Sequence, residues 1–293
     1  MKKRILATLL SATMVAAMAV GCSSTTEEAV ETTEAATTEA VVEETEATEE
    51  TEAATEETSS VEGSMEGVTL KVGTSGLFGP FSYYDEDGTT LIGYDIDLLN
   101  ELQAILGFEI EEGIEAMDYS ALTTSLAEGK LDIGAAALCA TDERKEVMNF
   151  SETYCDSGQV VMVNATMETG ITSVEDLAGM TVAVEKGTAS HTYASNNLAD
   201  STIEVHDTIT TAYESLEQGK VDCLLQDGPG AAFYIKTTDA TNLEVVGDEF
   251  NQGQAPYAVA VSFDCEYLEE IDAALAMLVE DGTLAEIYAK WCE

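Results

Sequence analysis

Positive charge is what this chain lacks most. Its 293 residues hold 11 Lys and Arg against 57 Asp and Glu, for a net charge of -46, and the only arginines are Arg4 and Arg144. Such a balance excludes a nucleic-acid partner and adsorption to anionic lipid through charge. Histidine is nearly absent too. His191 and His206 have no cysteine or histidine at metal-ligand spacing, which argues against a metal centre. No serine or cysteine sits in a nucleophile motif, and no Gly-Lys-Ser/Thr follows the glycine-rich loop at Thr74 to Phe81, so a phosphate loop is excluded and no cofactor is called for. The acidic turn Asp85 to Gly88 lacks the downstream ligands of a calcium loop and reads as the turn of a hairpin. Beyond Cys22 the cysteines are five, an odd set, so at least one thiol stays free and spacing alone dictates no pairing.

The beginning of the chain lacks a membrane span but carries an address. Lys2, Lys3 and Arg4 precede an apolar run, Ile5 to Val20, that ends in Ala-Val-Gly-Cys. The run is shorter than the roughly 20 residues a span needs, and the pattern reads as a lipoprotein signal over residues 1–21 with Cys22 as the lipidated N-terminus. From Ser23 to Glu66 there is no aromatic residue and no positive charge. Such a segment cannot bury enough apolar surface to offset its ordering entropy, so residues 22–66 are expected to form a lipid-bearing, disordered acidic tether, with a coil dimension of about 35–40 Å. Beyond it stand 42 acids and 8 bases, a net charge of about -34. That remainder is long enough for two lobes, each with its own core.

Within it an internal echo organises the reading. Ser125 to Asp132 reads SLAEGKLD and Ser215 to Asp222 reads SLEQGKVD. Each looks like a helix stopped by glycine (Gly129, Gly219) and followed by a strand, Leu131 to Ala137 in one copy and Val221 to Gln226 in the other. Ile96, Leu99, Leu102 and Leu106 keep helical spacing up to Gly107, and the alternation of strands and helices predicts mostly parallel α/β sheets. Arg144 lies just past the first echo strand and Asp227 just past the second. Ligands of open α/β sheets bind outside the carboxyl ends of strands, so a cation and an anion there can face each other across a cleft and hold a zwitterion. Gly187 and Thr188 open a helix whose free N–H groups favour a carboxylate.

Four stretches together resemble the family 3 extracellular solute-binding proteins, the polar amino-acid-binding components of ABC importers. They are Gly79 to Leu99, Ser125 to Tyr154, Val182 to Ser190 and Asp281 to Trp291. The resemblance implies a two-lobed, periplasmic-binding-protein-like α/β fold of type II with two hinge strands. Lobe 1 would span residues 67–157 and 256–293, and lobe 2 residues 158–255. It also implies a non-enzymatic, extracytoplasmic monomer, lipid-anchored to the cell membrane, that delivers a free amino acid to the importer's membrane subunits. A sensor component presenting ligand to a receptor, or a rare dehydratase, are the alternatives on the same fold.

By the same resemblance Arg144 holds the ligand α-carboxylate and Asp227 its α-ammonium. Phe78 and Tyr119 flank the ligand side chain, Ala137 offers a backbone carbonyl, and Thr188 with Ala189 faces the carboxylate. Cys139 replaces a common hydroxyl, and Ser75 replaces an acid found in binders of basic amino acids. Glu185, beside Lys186, is expected to face solvent. A cationic side chain would then lack a buried partner, and an acidic one would find no spare arginine. The expected ligand is neutral and polar or sulfur-containing, with Cys139 and the aromatic pair as a soft wall.

Overall fold

The computed structural model describes residues 61–238 and 242–293. The expectations for the signal, for Cys22 and for the tether up to residue 60 lie outside the described residues. In chain order the elements are β1 (Val72–Thr74), α1 (Tyr94–Leu106), β2 (Glu115–Ala116), α2 (Tyr119–Ala127), β3 (Ile133–Gly134), α3 (Asp142–Lys145) and β4 (Asn149–Cys155). They continue through β5 (Gln159–Asn164), β6 (Thr181–Glu185), α4 (Ala189–Asn197), β7 (Thr202–His206), α5 (Ile209–Glu217), β8 (Cys223–Asp227) and α6 (Gly228–Thr237). The last are β9 (Leu243–Phe250), β10 (Tyr257–Val261), α7 (Leu268–Glu280) and α8 (Thr283–Cys292). A hairpin of Ser82–Tyr84 and Leu91–Ile92 lies between β1 and α1, about the turn that the acidic Asp85 to Gly88 predicts.

Two five-stranded sheets result, ordered β2-β1-β3-β10-β4 and β7-β6-β8-β5-β9. In each, three strands run parallel and the last two pair antiparallel, so the two halves share a plan. The chain leaves the first sheet between β4 and β5 and returns between β9 and β10. This is the two-lobed fold with two crossings.

The echo has a physical basis. After α2, Gly129 takes the left-handed conformation (φ 66°), and after α5 Gly219 does the same (φ 64°), a conformation open to glycine without a Cβ penalty. Lys130 N then bonds Ser125 O at 2.8 Å and Lys220 N bonds Ser215 O at 2.9 Å, closing both helices alike. The aspartate that ends each copy stitches the next strand to its neighbour. Asp132 Oδ2 accepts from Lys71 N, just before β1, and Asp222 Oδ2 accepts from Thr181 N, the first residue of β6, each at 2.7 Å. The serine, glycine and aspartate of the repeat are therefore parts of one joint used twice.

Helix α1 buries Leu98, Leu99, Leu102 and Leu106 completely against α7 and the first sheet. Full burial of each such side chain is worth about 1.5–3 kcal/mol. One boundary moves. Met65 is fully buried in this core, and Gly63 N and Met65 N donate to Ile105 O and Leu106 O at 2.8 Å each. Residues 61–66, which the expected tether includes, therefore belong to the first half, because Met65 finds an apolar slot at the end of α1.

Candidate functional site

The carboxyl ends of the strands in the two sheets face a cleft, and the residues there come from both. Phe78, Tyr119, Ala136 and Ala137 of the first half and Glu185, Thr188, Ala189, Ser190, Ile209, Leu225, Gln226 and Asp227 of the second enclose one cavity. Its volume is about 30 Å³, room for a water or two, so the lobes have to part before an amino-acid-sized molecule can enter.

Arg144 lies within the one-turn helix α3, whose N-cap Thr141 accepts from Arg144 N. Its guanidinium bridges the halves: Nη1 donates to Cys139 O and Nη2 to Gly187 O, each at 2.8 Å. It also lies 5.3 Å from the centroid of the Tyr119 ring. Both terminal nitrogens are thus engaged by backbone carbonyls, and Arg144 does not itself line the cavity; it borders a separate surface depression with Thr141, Gly187 and Ala189.

Asp227 is the N-cap of α6 at the end of β8. Tyr257 Oη donates to its Oδ2 at 2.9 Å and Cys139 Sγ at 3.7 Å, both from the first half. Burial pushes the Asp227 carboxyl up to about 6, against the pull of the Tyr257 hydroxyl, Arg144, Cys139 and Gln159. The carboxylate is therefore costly in this cleft without a cation, and an ammonium group would relieve it.

Ala137 takes the left-handed conformation (φ 49°), which a non-glycine residue adopts only where its surroundings hold it. The restraint is Asp95: its Oδ2 accepts from Ala137 N at 2.7 Å while its Oδ1 accepts from Tyr154 Oη at 2.6 Å. Burial pushes this carboxyl up to about 6 as well, opposed by the same two donors. Thr188 caps α4 by accepting from His191 N, and Ala189 and Ser190 form the first turn behind it.

Besides the place of Arg144 outside the cavity wall, three sequence expectations change. Ser75 does not line the cavity: its hydroxyl lies 3.1 Å from that of Ser82 and accepts from Leu77 N, tying the glycine-rich loop to the hairpin. Cys139 is no cavity wall either; it is buried behind Asp227, and burial pushes its thiol up so that it stays protonated as a donor. Glu185 lines the cavity instead of facing solvent and is only 8% exposed, because β6 ends at the cleft with this side chain turned inward and the exposed Lys186 turned outward. Burial pushes Glu185 up to about 8, opposed by the Ile209 backbone N–H and reinforced by Asp227 and Asp118.

Ser190 and Gln226 of the lining, and Tyr257 behind Asp227, are not foreseen from the sequence. Ser190 Oγ is buried in the cavity wall without a hydrogen-bond partner among the described residues, which makes it a free donor and acceptor. Its place in the first turn after Gly187 and Thr188 was the available signal. Gln226 immediately precedes Asp227, and its Oε1 accepts from Tyr213 Oη at 2.7 Å. Tyr257 lies far along the chain in the returning strand, and nothing local in the sequence ties it to Asp227.

Residues 70–293 match the model of the bacterial extracellular solute-binding proteins, family 3. The chain belongs to that family. Among its members, the L-cystine-binding protein TcyJ of Escherichia coli (strain K12) is 29% identical over 223 residues, which cover 76% of this chain and 82% of that protein. A solved structure of an ancestral arginine-binding protein bound to glutamine is 35% identical with a TM-score of 0.71, covering 76% of this chain and 97% of that one. A second, of an ancestral arginine-binding protein bound to arginine, has the same identity and TM-score and covers 78% and 100%. In this family member the cleft between the two sheets is therefore the place to look for a solute.

Proposed function

We propose that the chain captures a free amino acid outside the cytoplasm, closes its two lobes on it, and delivers it to the membrane subunits of an ABC importer while anchored through lipid on Cys22. The observation that carries this reading is the pair Arg144 and Asp227. Asp227 lines the cavity and is held by Tyr257 and Cys139 of the first half, while Arg144 lies behind the Tyr119 wall, bonded to Cys139 O of its own half and Gly187 O of the other, and would have to turn its fork from these carbonyls to a ligand as the lobes part. The guanidinium fork suits an α-carboxylate, with Ser190 Oγ and the first turn of α4 as further donors. Asp227 with the Ala137 carbonyl suits an α-ammonium. Nothing in this arrangement calls for turnover, so the ligand leaves as it entered.

The side chain of the ligand lies between Phe78 and Tyr119 and reaches toward Glu185. An acidic side chain is disfavoured, because Asp227, Glu185 and Asp118 already load the site with carboxyls and no second arginine exists there. At neutral pH the raised Glu185 is mostly an uncharged acid, which pairs with a neutral polar or sulfur-containing side chain. The names of the relatives TcyJ and the glutamine-bound ancestral protein support that class. The inward position of Glu185 favours a second reading, a cationic side chain, and the arginine-bound ancestral structure supports that one.

A thermal-shift screen of the soluble chain against the free amino acids and cystine tests the proposal. Stabilisation follows RT ln(1 + [L]/Kd), so a ligand at a hundred times its Kd adds about 2.7 kcal/mol. One or more neutral amino acids should raise Tm and be recovered chemically unchanged by mass spectrometry. A flat response across the panel would contradict the proposal.

A further inference from the structure

Glu185 is a buried acid in a ligand cavity with no cation assigned to it. From β8 comes Asp227, from the turn before α2 comes Asp118, and from α5 come the Ile209 N–H and the Tyr213 hydroxyl. From β7 comes His206, the register partner of Glu185, whose Nε2 lies 3.1 Å from Glu204. Lys186 is adjacent in sequence but exposed, 4.0 Å from Asp207. Arg144 is committed to Cys139 O and Gly187 O. The neighbours are thus mostly acids or neutral donors, and a proton or a ligand cation is what would make this glutamate comfortable.

We infer that Glu185 is a specificity residue set by pH: as a neutral acid it accepts a neutral hydrogen-bonding side chain, and as a carboxylate it accepts a cation, so one cavity shifts from glutamine-like toward arginine-like ligands as pH rises. This rests on the proposal that the cleft binds amino acids. An arginine side chain stays protonated throughout, so its capture requires Glu185 to give up its proton to solvent, whereas glutamine binds without that step. Asp227 and Asp95 titrate as well, but they serve the α-ammonium and the Ala137 loop, which both ligands share. Their effect cancels in the ratio of the two affinities.

The ratio is therefore the quantity to measure. Arginine takes the ionised Glu185 and glutamine the neutral acid, so Kd for arginine relative to glutamine should fall about tenfold for each unit from pH 6 to pH 8. Calorimetry of wild type in phosphate and in Tris, whose ionisation enthalpies differ, should show close to one proton released with arginine at pH 7 and none with glutamine. In Glu185→Gln the ratio should lose its pH dependence. A pH-independent ratio in wild type, no proton release with arginine, or arginine failing to bind at every pH would overturn the inference while leaving amino-acid binding intact. A ratio that still varies with pH in Glu185→Gln would mean that another group sets it and would overturn the inference too. If neither ligand nor any other amino acid binds, the proposed function falls and this inference with it.

Discussion

Replacing Tyr257 by Phe isolates one hydrogen bond at the centre of the site. The ring is fully buried and packs edge-on against Phe81 at 5.0 Å, so the substitution keeps the core and removes only the hydroxyl. That hydroxyl donates to Asp227 Oδ2 at 2.9 Å and lies 3.0 Å from Ser157 Oγ. A hydrogen bond to a charged group is worth about 1.5–3 kcal/mol, which is about one to two pH units in the titration of its partner. Asp227 stands at about 6 in wild type. In the variant it should rise to about 7–8. An α-ammonium needs the ionised form, so affinity is full above the pKa of the free protein and is lost as pH falls through it. Tyr257→Phe should bind a neutral amino acid about two- to tenfold more weakly than wild type at pH 7, and within about a factor of two at pH 8.5. Calorimetry with glutamine across pH 5.5 to 8.5 reads this shift of the acid limb. A loss of the same size at every pH would refute the reasoning, since it would mean a packing defect and not a displaced titration.

Three further outcomes follow from the packing and charge. Met65→Ala should cost about 2–5 kcal/mol of stability, read as a shift in the urea midpoint, whereas removing everything before Val61 should leave that midpoint in place. Gly79→Ala should weaken binding by favouring separated lobes, because the added Cβ would overlap the ring of Phe233, which reaches across from α6 and also meets Tyr83 at 5.1 Å; small-angle scattering with saturating ligand should show a larger radius than wild type. The ligand-free protein should melt at lower temperature as pH rises from about 5 to 8, since Asp95, Asp227 and Glu185 all hold protons more tightly folded than unfolded. Glu185→Gln should flatten the upper part of that decline.

The two halves, their joints and most of the site's cast could be read from the chain because local signals mark them. The repeated serine, glycine, lysine and aspartate close the same corner twice, and a lone arginine and an aspartate follow the two echo strands. What could not be read is which way a side chain turns at the end of a strand. Glu185 and Lys186 are neighbours, and a single step of backbone decides which of them enters the cavity. Ser75 and Cys139 sit at positions beside the cleft, yet each is absorbed by a partner distant in sequence or across a turn, Ser82 for one and Asp227 for the other. Met65 stands in a stretch whose composition is that of a tether, and only the slot at the end of α1 gives it a role.

The account rests on Arg144 and Asp227 gripping the two charged ends of an amino acid, and calorimetric titration of the best ligand against wild type, Arg144→Ala and Asp227→Ala tests that grip most directly. Each charge-assisted contact is worth about 1.5–3 kcal/mol, and removing one partner leaves the other buried and unpaired. Both variants should therefore bind at least about a hundredfold more weakly, equal to roughly 2.7 kcal/mol, while keeping the fold of wild type by circular dichroism. Near-wild-type affinity in either variant would contradict the account.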